Sequence, residues 1–180
     1  MDPVLLAVLT SGSSESRVCE WDSKVKQAGD LEMKPVLLVV STLRRTKSAE
    51  RLALEKGKTV GSLAVTFVVD IDFSRYLTRA DLGVFPELRA RCEEEILKDH
   101  AAKGREAVKS IAEKAKKLGI AVKTSVKVGR FTDKCLEAAR KENPALIVTT
   151  RSHRPRWVKR FFGSPADDLI AHTGCTVVEA

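Results

Sequence analysis

The sequence is poor in the residues that mark several large classes of protein. It has four cysteines, three histidines and few aromatics: six phenylalanines, two tryptophans and one tyrosine in 180 residues. The cysteines, Cys19, Cys92, Cys135 and Cys175, are scattered, and none form a Cys-x-x-Cys pair. This excludes a zinc ribbon, a thioredoxin-like motif and a dense disulfide framework, and predicts small buried hydrophobes in a reducing compartment. His100, His153 and His172 lack metal-ligand spacing, so no metal is predicted. No apolar run reaches the roughly 18–20 residues of a membrane span. Residues 3–10 are apolar, but Asp2 stands where a secretory leader carries cations, and the run is at the short limit. The expected location is cytoplasmic. Also missing are a Gly-Lys-Ser/Thr phosphate loop, a nucleophile-and-base pair and a metal-carboxylate cluster, so no catalytic residue is assigned.

What is present fits one globular domain with an appendage: 43% apolar and 31% charged residues. Residues 1–33 read as an N-terminal extension, with polar, turn-like stretches at 11–16 and 27–30. Residues 3–10 match residues 35–42 at six of eight positions. A duplicated strand, an added edge strand and chance within a Val/Leu vocabulary all account for that match.

From Pro35 onward, strand and helix patterns alternate. Continuous β-rich apolar runs at 36–41, 63–69 and 145–149 predict strands covered on both faces. Residues 121–128 alternate, with Val122, Thr124, Val126 and Val128 on one face. Helical spacing predicts a helix over 48–58. A long one follows over 88–118, with an apolar stripe weakened at His100 and Gly104 and a stop at Gly119. Residues 71–87 read as a loop with a short helical turn. A helix capped by Thr132 or Asp133 runs to Glu142 and stops at Asn143-Pro144. Ser164 as cap and Pro165 at the first helical position open another helix to about His172, followed by a strand at 175–178. Strands alternating with helices imply a three-layer, Rossmann-like α/β fold with a parallel five-stranded sheet. Ligands in such sheets sit beyond the carboxyl ends of the strands, at a switch in strand order.

Net charge is +8. The lysines of the long helix are interleaved with glutamates, as on ordinary solvated faces. Residues 151–162 differ, with Arg151, Arg154, Arg156, Lys159 and Arg160 and no acid. They lead into Gly163-Ser164 and a helix start. Unpaired N–H groups and the helix dipole favour an anion there, and Gly163 permits close backbone approach. The same residues are equally consistent with a capped helix behind a solvated basic loop. Trp157, Phe161 and Phe162 alternate with the cations, which stacking on bases, a protein contact or packing onto the domain would each explain.

In order and spacing, these elements resemble the universal stress protein family over residues 34–180. The local resemblance lies in the first strand at 34–40, the second strand ending at Asp70, Lys127 to Gly129, the fourth strand at 145–149 and the C-terminal stretch at 171–178. Members that bind ATP carry Gly-x2-Gly-x9-Gly-Ser/Thr after the fourth strand. On that pattern Thr150 stands at the first glycine, His153 at the second, and Gly163 and Ser164 complete it. Ser41 stands where the family has an aspartate that holds the nucleoside, and Val68 stands at the adenine-contacting position. The resemblance thus implies a non-catalytic regulatory, stress-response module. It implies ATP or another adenine nucleotide, or a small anion, as ligand at Ser41, Val68, Thr150, His153, Gly163 and Ser164. It also implies a homodimer paired through the C-terminal strand. Arg151, Arg154 and Arg156 supply side-chain cations where backbone glycines are replaced. Two other functions compete: a weak ATP-hydrolysing or adenylating enzyme of the same fold, and a nucleic-acid-binding module using residues 151–160. No recognised nucleic-acid motif supports the latter.

Overall fold

The computed structural model describes residues 34–42, 47–72, 74, 75, 78, 86–150 and 165–180. The extension 1–33 and the segment 151–164 lie outside the described residues. Five parallel strands form one sheet: β1 (Val36–Ser41), β2 (Ser62–Asp70), β3 (Ala121–Gly129), β4 (Leu146–Thr149) and β5 (Thr176–Glu179). Their order is β3-β2-β1-β4-β5. Among the described residues, helices of continuous extent connect them: α1 (Lys47–Val60), α2 (Pro86–Lys117), α3 (Phe131–Glu142) and α4 (Pro165–Thr173).

The continuous apolar runs became the two-sided strands. Every residue of β1 and β4 is buried. On one face, Val36, Leu38, Val40, Val65 and Phe67 pack against α1 and α2 through Ala49, Ala53, Val108 and Ile111. On the other, Leu37, Val39, Val68 and Ile147 pack against α3 and α4 through Phe131, Cys135 and Leu169. Each large aliphatic side chain fully buried this way contributes about 1.5–3 kcal/mol of transfer free energy. The alternating strand took an edge position, as half-exposed patterning requires. Val122 and Val126 lean on the α2-side core, whereas Lys123, Ser125 and Lys127 are their alternates on the opposite face. Along that face Lys127 and Lys134 both bind Glu137, and those hydrogen bonds hold the Glu137 carboxyl down to about 2. Lysines on a bare sheet edge also discourage pairing with a stray strand.

The helix stops are local chemistry. At the end of α2 the Gly119 N–H donates to the Lys116 carbonyl, the Ile120 N–H donates to the Ala115 carbonyl, and Gly119 adopts φ +73°. Asn143 closes α3 in the left-handed region at φ 43°, with its N–H on the Ala139 carbonyl.

Several sequence expectations are corrected. Neither Thr132 nor Asp133 caps α3; the helix starts one turn position earlier at Phe131, with Arg130 as the capping residue and no side-chain cap. Burial of Phe131 against Leu37 and Val39 in the core fixes that start in place of a hydroxyl or carboxylate. The long helix begins at Pro86, inside the segment read as a loop, because proline suits the first helical position. Of the described cysteines only Cys135 is fully buried; Cys92 and Cys175 are half-buried, and none of the three is in a disulfide.

At about 48 Å, α2 is longer than the roughly 30 Å of the nine-residue β2 that it crosses. Its buried positions run from Gly104 to Ala115, at the C-terminal end. The N-terminal half therefore overhangs the carboxyl ends of the strands, and Arg75 binds Glu93 of that half at 3.3 Å.

Candidate functional site at the switch in strand order

The chain lays down β1, β2 and β3 in one direction, then returns to place β4 and β5 on the other side of β1. Helices leaving β1 and β4 go to opposite faces, since α1 joins one core and α4 the other. In open parallel sheets such a switch in strand order, beyond the carboxyl ends of β1 and β4 here, is where ligands bind.

Ser41 closes β1 and sits beside Val68 of β2 in register. Ser41 is 2% exposed and Val68 fully buried. Val68 belongs to the core under α3, so its side chain packs there as well as lining the strand end. Thr149 ends β4 opposite Val39, and Thr150 follows it. Both threonines are buried, at 2% and 1% exposure, and among the described residues neither hydroxyl has a hydrogen-bond partner. The Thr149 carbonyl is used, accepting from the Ala180 N–H at 2.9 Å. Buried polar atoms are almost always paired, so these two hydroxyls, like that of Ser62 at the opposite end of the sheet, stand out among the described residues. The sequence marks Thr149 as part of a candidate strand end, though not as a ligand-contacting residue. Its signal was a polar side chain closing an otherwise apolar strand.

The remaining wall is Asp70 and its turn. Its carboxylate accepts the Asp72 N–H at 3.0 Å, and its carbonyl accepts the Ser74 hydroxyl at 3.3 Å. Arg130, just past the end of β3, pairs with Asp72 at 3.3 Å. These contacts stiffen the carboxyl end of β2 next to that switch. On the far side α4 starts at Pro165, where the sequence placed it, and Leu169, fully buried, anchors that helix.

The structure thus brings Ser41, Val68 and Thr150 to one end of the sheet. His153, Gly163, Ser164, Arg151, Arg154 and Arg156 lie outside the described residues. Their strand and helix are placed: β4 ends just before them and α4 begins just after. Two concavities among the described residues lie elsewhere. One of about 910 Å³ lies between α1 and α2; one of about 310 Å³ lies between α3 and the β2–β3 pair. Neither touches Ser41, Val68 or Thr150. Among the described residues no group of His, Cys, Asp and Glu is placed to hold a metal ion, and no helix is long and apolar enough to cross a membrane.

If the orphaned hydroxyl of Thr150 is reserved for a ligand, Thr150→Val should act in opposite directions on two readings. Removing an unpaired buried hydroxyl at constant shape relieves about 1–3 kcal/mol of desolvation, so the ligand-free protein should melt higher. The melting shift produced by a bound anion should shrink. A lower melting temperature for the ligand-free variant would mean that the hydroxyl is already satisfied.

An open parallel sheet with helices on both faces and a switch in strand order defines the chain as a three-layer α/β protein of the Rossmann-like kind. The Universal stress protein family matches residues 32–178, and the chain belongs to that family. No curated protein matches the chain. Among solved structures it is similar to the universal stress protein UspA from Lactobacillus plantarum, at 18% identity and a TM-score of 0.61, over 83% of this chain and 99% of that one. It is similar also to a protein from the universal stress protein family from Burkholderia pseudomallei, at 19% identity and a TM-score of 0.53, over 84% of this chain and 98% of that one.

Proposed function

We propose that the chain is a non-catalytic stress-response module that binds a small anionic ligand, an adenine nucleotide being the first candidate, at the switch in strand order. The observation that carries this reading is the pair of buried hydroxyls at Thr149 and Thr150, unpartnered among the described residues, at the carboxyl end of β4 beside β1 and leading into a basic segment. Ser41 lines the same end. Thr150 and His153 replace glycines that would let a phosphate approach the backbone. Arg151, Arg154 and Arg156 then hold the anion with side chains, while Gly163, Ser164 and the start of α4 supply N–H groups and the helix dipole. Without a carboxylate at Ser41, the nucleoside end is held more weakly than the phosphate end. The ligand is therefore selected mainly by its charge. We further propose that residues 34–180 form the working domain, that it acts in the cytoplasm, and that it pairs with a second copy along β5, an edge of the sheet.

Nucleotide content of the purified protein and thermal-shift titration with ATP, ADP, AMP and a cyclic nucleotide test this reading. A ligand at a hundred times its Kd stabilises by about 2.7 kcal/mol, or roughly 5–11 °C for a chain of this size. No co-purified nucleotide and no shift at millimolar ligand would overturn the nucleotide assignment. A steep fall of RNA or DNA affinity with salt would point instead to a nucleic-acid module.

A further inference from the structure

The acidic residues are unevenly divided. Residues 1–33 hold six acids (Asp2, Glu15, Glu20, Asp22, Asp30 and Glu32) against three cations (Arg17, Lys24 and Lys26), a net charge of −3. The whole chain carries +8, so residues 34–180 carry +11. Within the acidic extension, Val18, Trp21, Val25 and Ala28 recur at steps of three, four and three. That spacing predicts an amphipathic helix over residues 15–28, whose first and last two residues run into the turn-like stretches at 11–16 and 27–30, and Ser14 is suited to cap it.

The domain offers a matching surface. The groove of about 910 Å³ between α1 and α2 is lined by Leu54 and Leu118, with a rim of four cations, Lys47, Arg51, Lys58 and Lys114, against two acids, Glu50 and Glu55. Leu118 is 46% exposed, a large apolar side chain left open at the end of a helix. Of the rim cations, Lys114 is engaged by the buried Glu50 at 3.3 Å. The expected helix has 14 residues, as α1 does, so one can lie along the other. Connectivity also fits. α1 and α2 both end at the edge where β2 and β3 begin, and β1 starts in register with β2 at that same edge. Lys58 and Leu118 are therefore at the end of the groove from which residues before Pro35 emerge. Residues 29–34 reach roughly 20 Å when extended, enough to pass round one helix of about 10 Å diameter.

We infer that residues 15–28 dock as an amphipathic helix in the α1–α2 groove of the same chain, with Val18, Trp21 and Val25 on Leu54 and Leu118 and with Glu20 and Asp22 toward Arg51 and Lys58. This is the helix-in-groove mode of recognition, with apolar anchors giving affinity and charge giving orientation. It is independent of the anion site, which lies at the other end of the strands.

Trp21 reports on it. In the full-length chain with Trp157→Phe, leaving Trp21 as the sole tryptophan, emission should be blue-shifted and protected from acrylamide at all protein concentrations. Arg51→Glu with Lys58→Glu should shift emission to the red and raise quenching several-fold, with the melting temperature of the domain kept. Adding Glu20→Lys and Asp22→Lys should restore protection. A solvent-exposed Trp21 in the parent, or protection unaffected by the groove variants, would overturn the inference. Protection that disappears on dilution would overturn it too, by showing that a second copy fills the groove.

Discussion

Arg154→Ala combined with Arg156→Ala should abolish the melting shift caused by adenine nucleotides or inorganic phosphate while leaving the unliganded melting temperature nearly unchanged. The two parts of that result come from different physics. A hydrogen bond to a charged group is worth about 1.5–3 kcal/mol, so losing two removes about 3–6 kcal/mol of binding. That is roughly two to four orders of magnitude in Kd, enough to take a micromolar ligand beyond any practical titration. If residues 151–160 form the basic loop read from sequence, substitutions there should change stability by no more than about 0.5 kcal/mol. Arg154→Lys with Arg156→Lys is the informative intermediate, since lysine keeps the charge and loses the fork that grips two oxygens. Partial retention of the shift would assign the binding to charge, and complete loss would assign it to geometry. A full shift in the double alanine variant would remove both arginines from the site and leave Ser164 and the α4 N-terminus as the anion holders.

The fold was legible because its strongest signals are also its largest energies. The two-sided strands β1 and β4 announce themselves as unbroken Val, Leu and Ile runs, and burial on both faces is what those runs require. The edge strand β3 shows its half-exposed state in the alternation of Val122 and Val126 with Lys123 and Lys127. Boundaries were less legible where packing decides them. The start of α3 is set by Phe131 reaching the core under Leu37, and no capping rule registers that contact. Much the same holds for the site. Strand ends could be named from sequence, but strand order could not, and only the order puts Ser41 and Thr150 at one strand switch. That the Thr149 and Thr150 hydroxyls find no partner among the described residues is a three-dimensional property with no trace in the spelling of the chain.

Gly104 shows how one residue can read as a weakness in sequence and act as a fitting in the structure. It interrupts the apolar stripe of α2, and in an exposed helix its replacement by alanine would gain about 1 kcal/mol. Here the substitution should destabilise instead. A Cβ at Gly104 would stand 2.5 Å from Cδ1 and 2.8 Å from Cε1 of Phe67, well inside contact distance. Phe67 is 2% exposed, in β2, and belongs to the core beneath α2, so its ring has little room to yield. Forcing a methyl into a packed interior costs about 1–3 kcal/mol, which exceeds or cancels the helix gain. Gly104→Ala should therefore lower the urea midpoint at unchanged m, where an exposed glycine would raise it. Phe67→Leu makes space at the cost of apolar area, and is destabilising alone. Combined with Gly104→Ala, the two should be less harmful than their sum, with a coupling of about 0.5–3 kcal/mol as expected for residues in contact. Strict additivity would mean that α2 and β2 separate to admit the methyl group. The close approach of α2 to the sheet at Gly104 would then be a loose seam, and the overhanging half of α2 would be free to move relative to the strand ends.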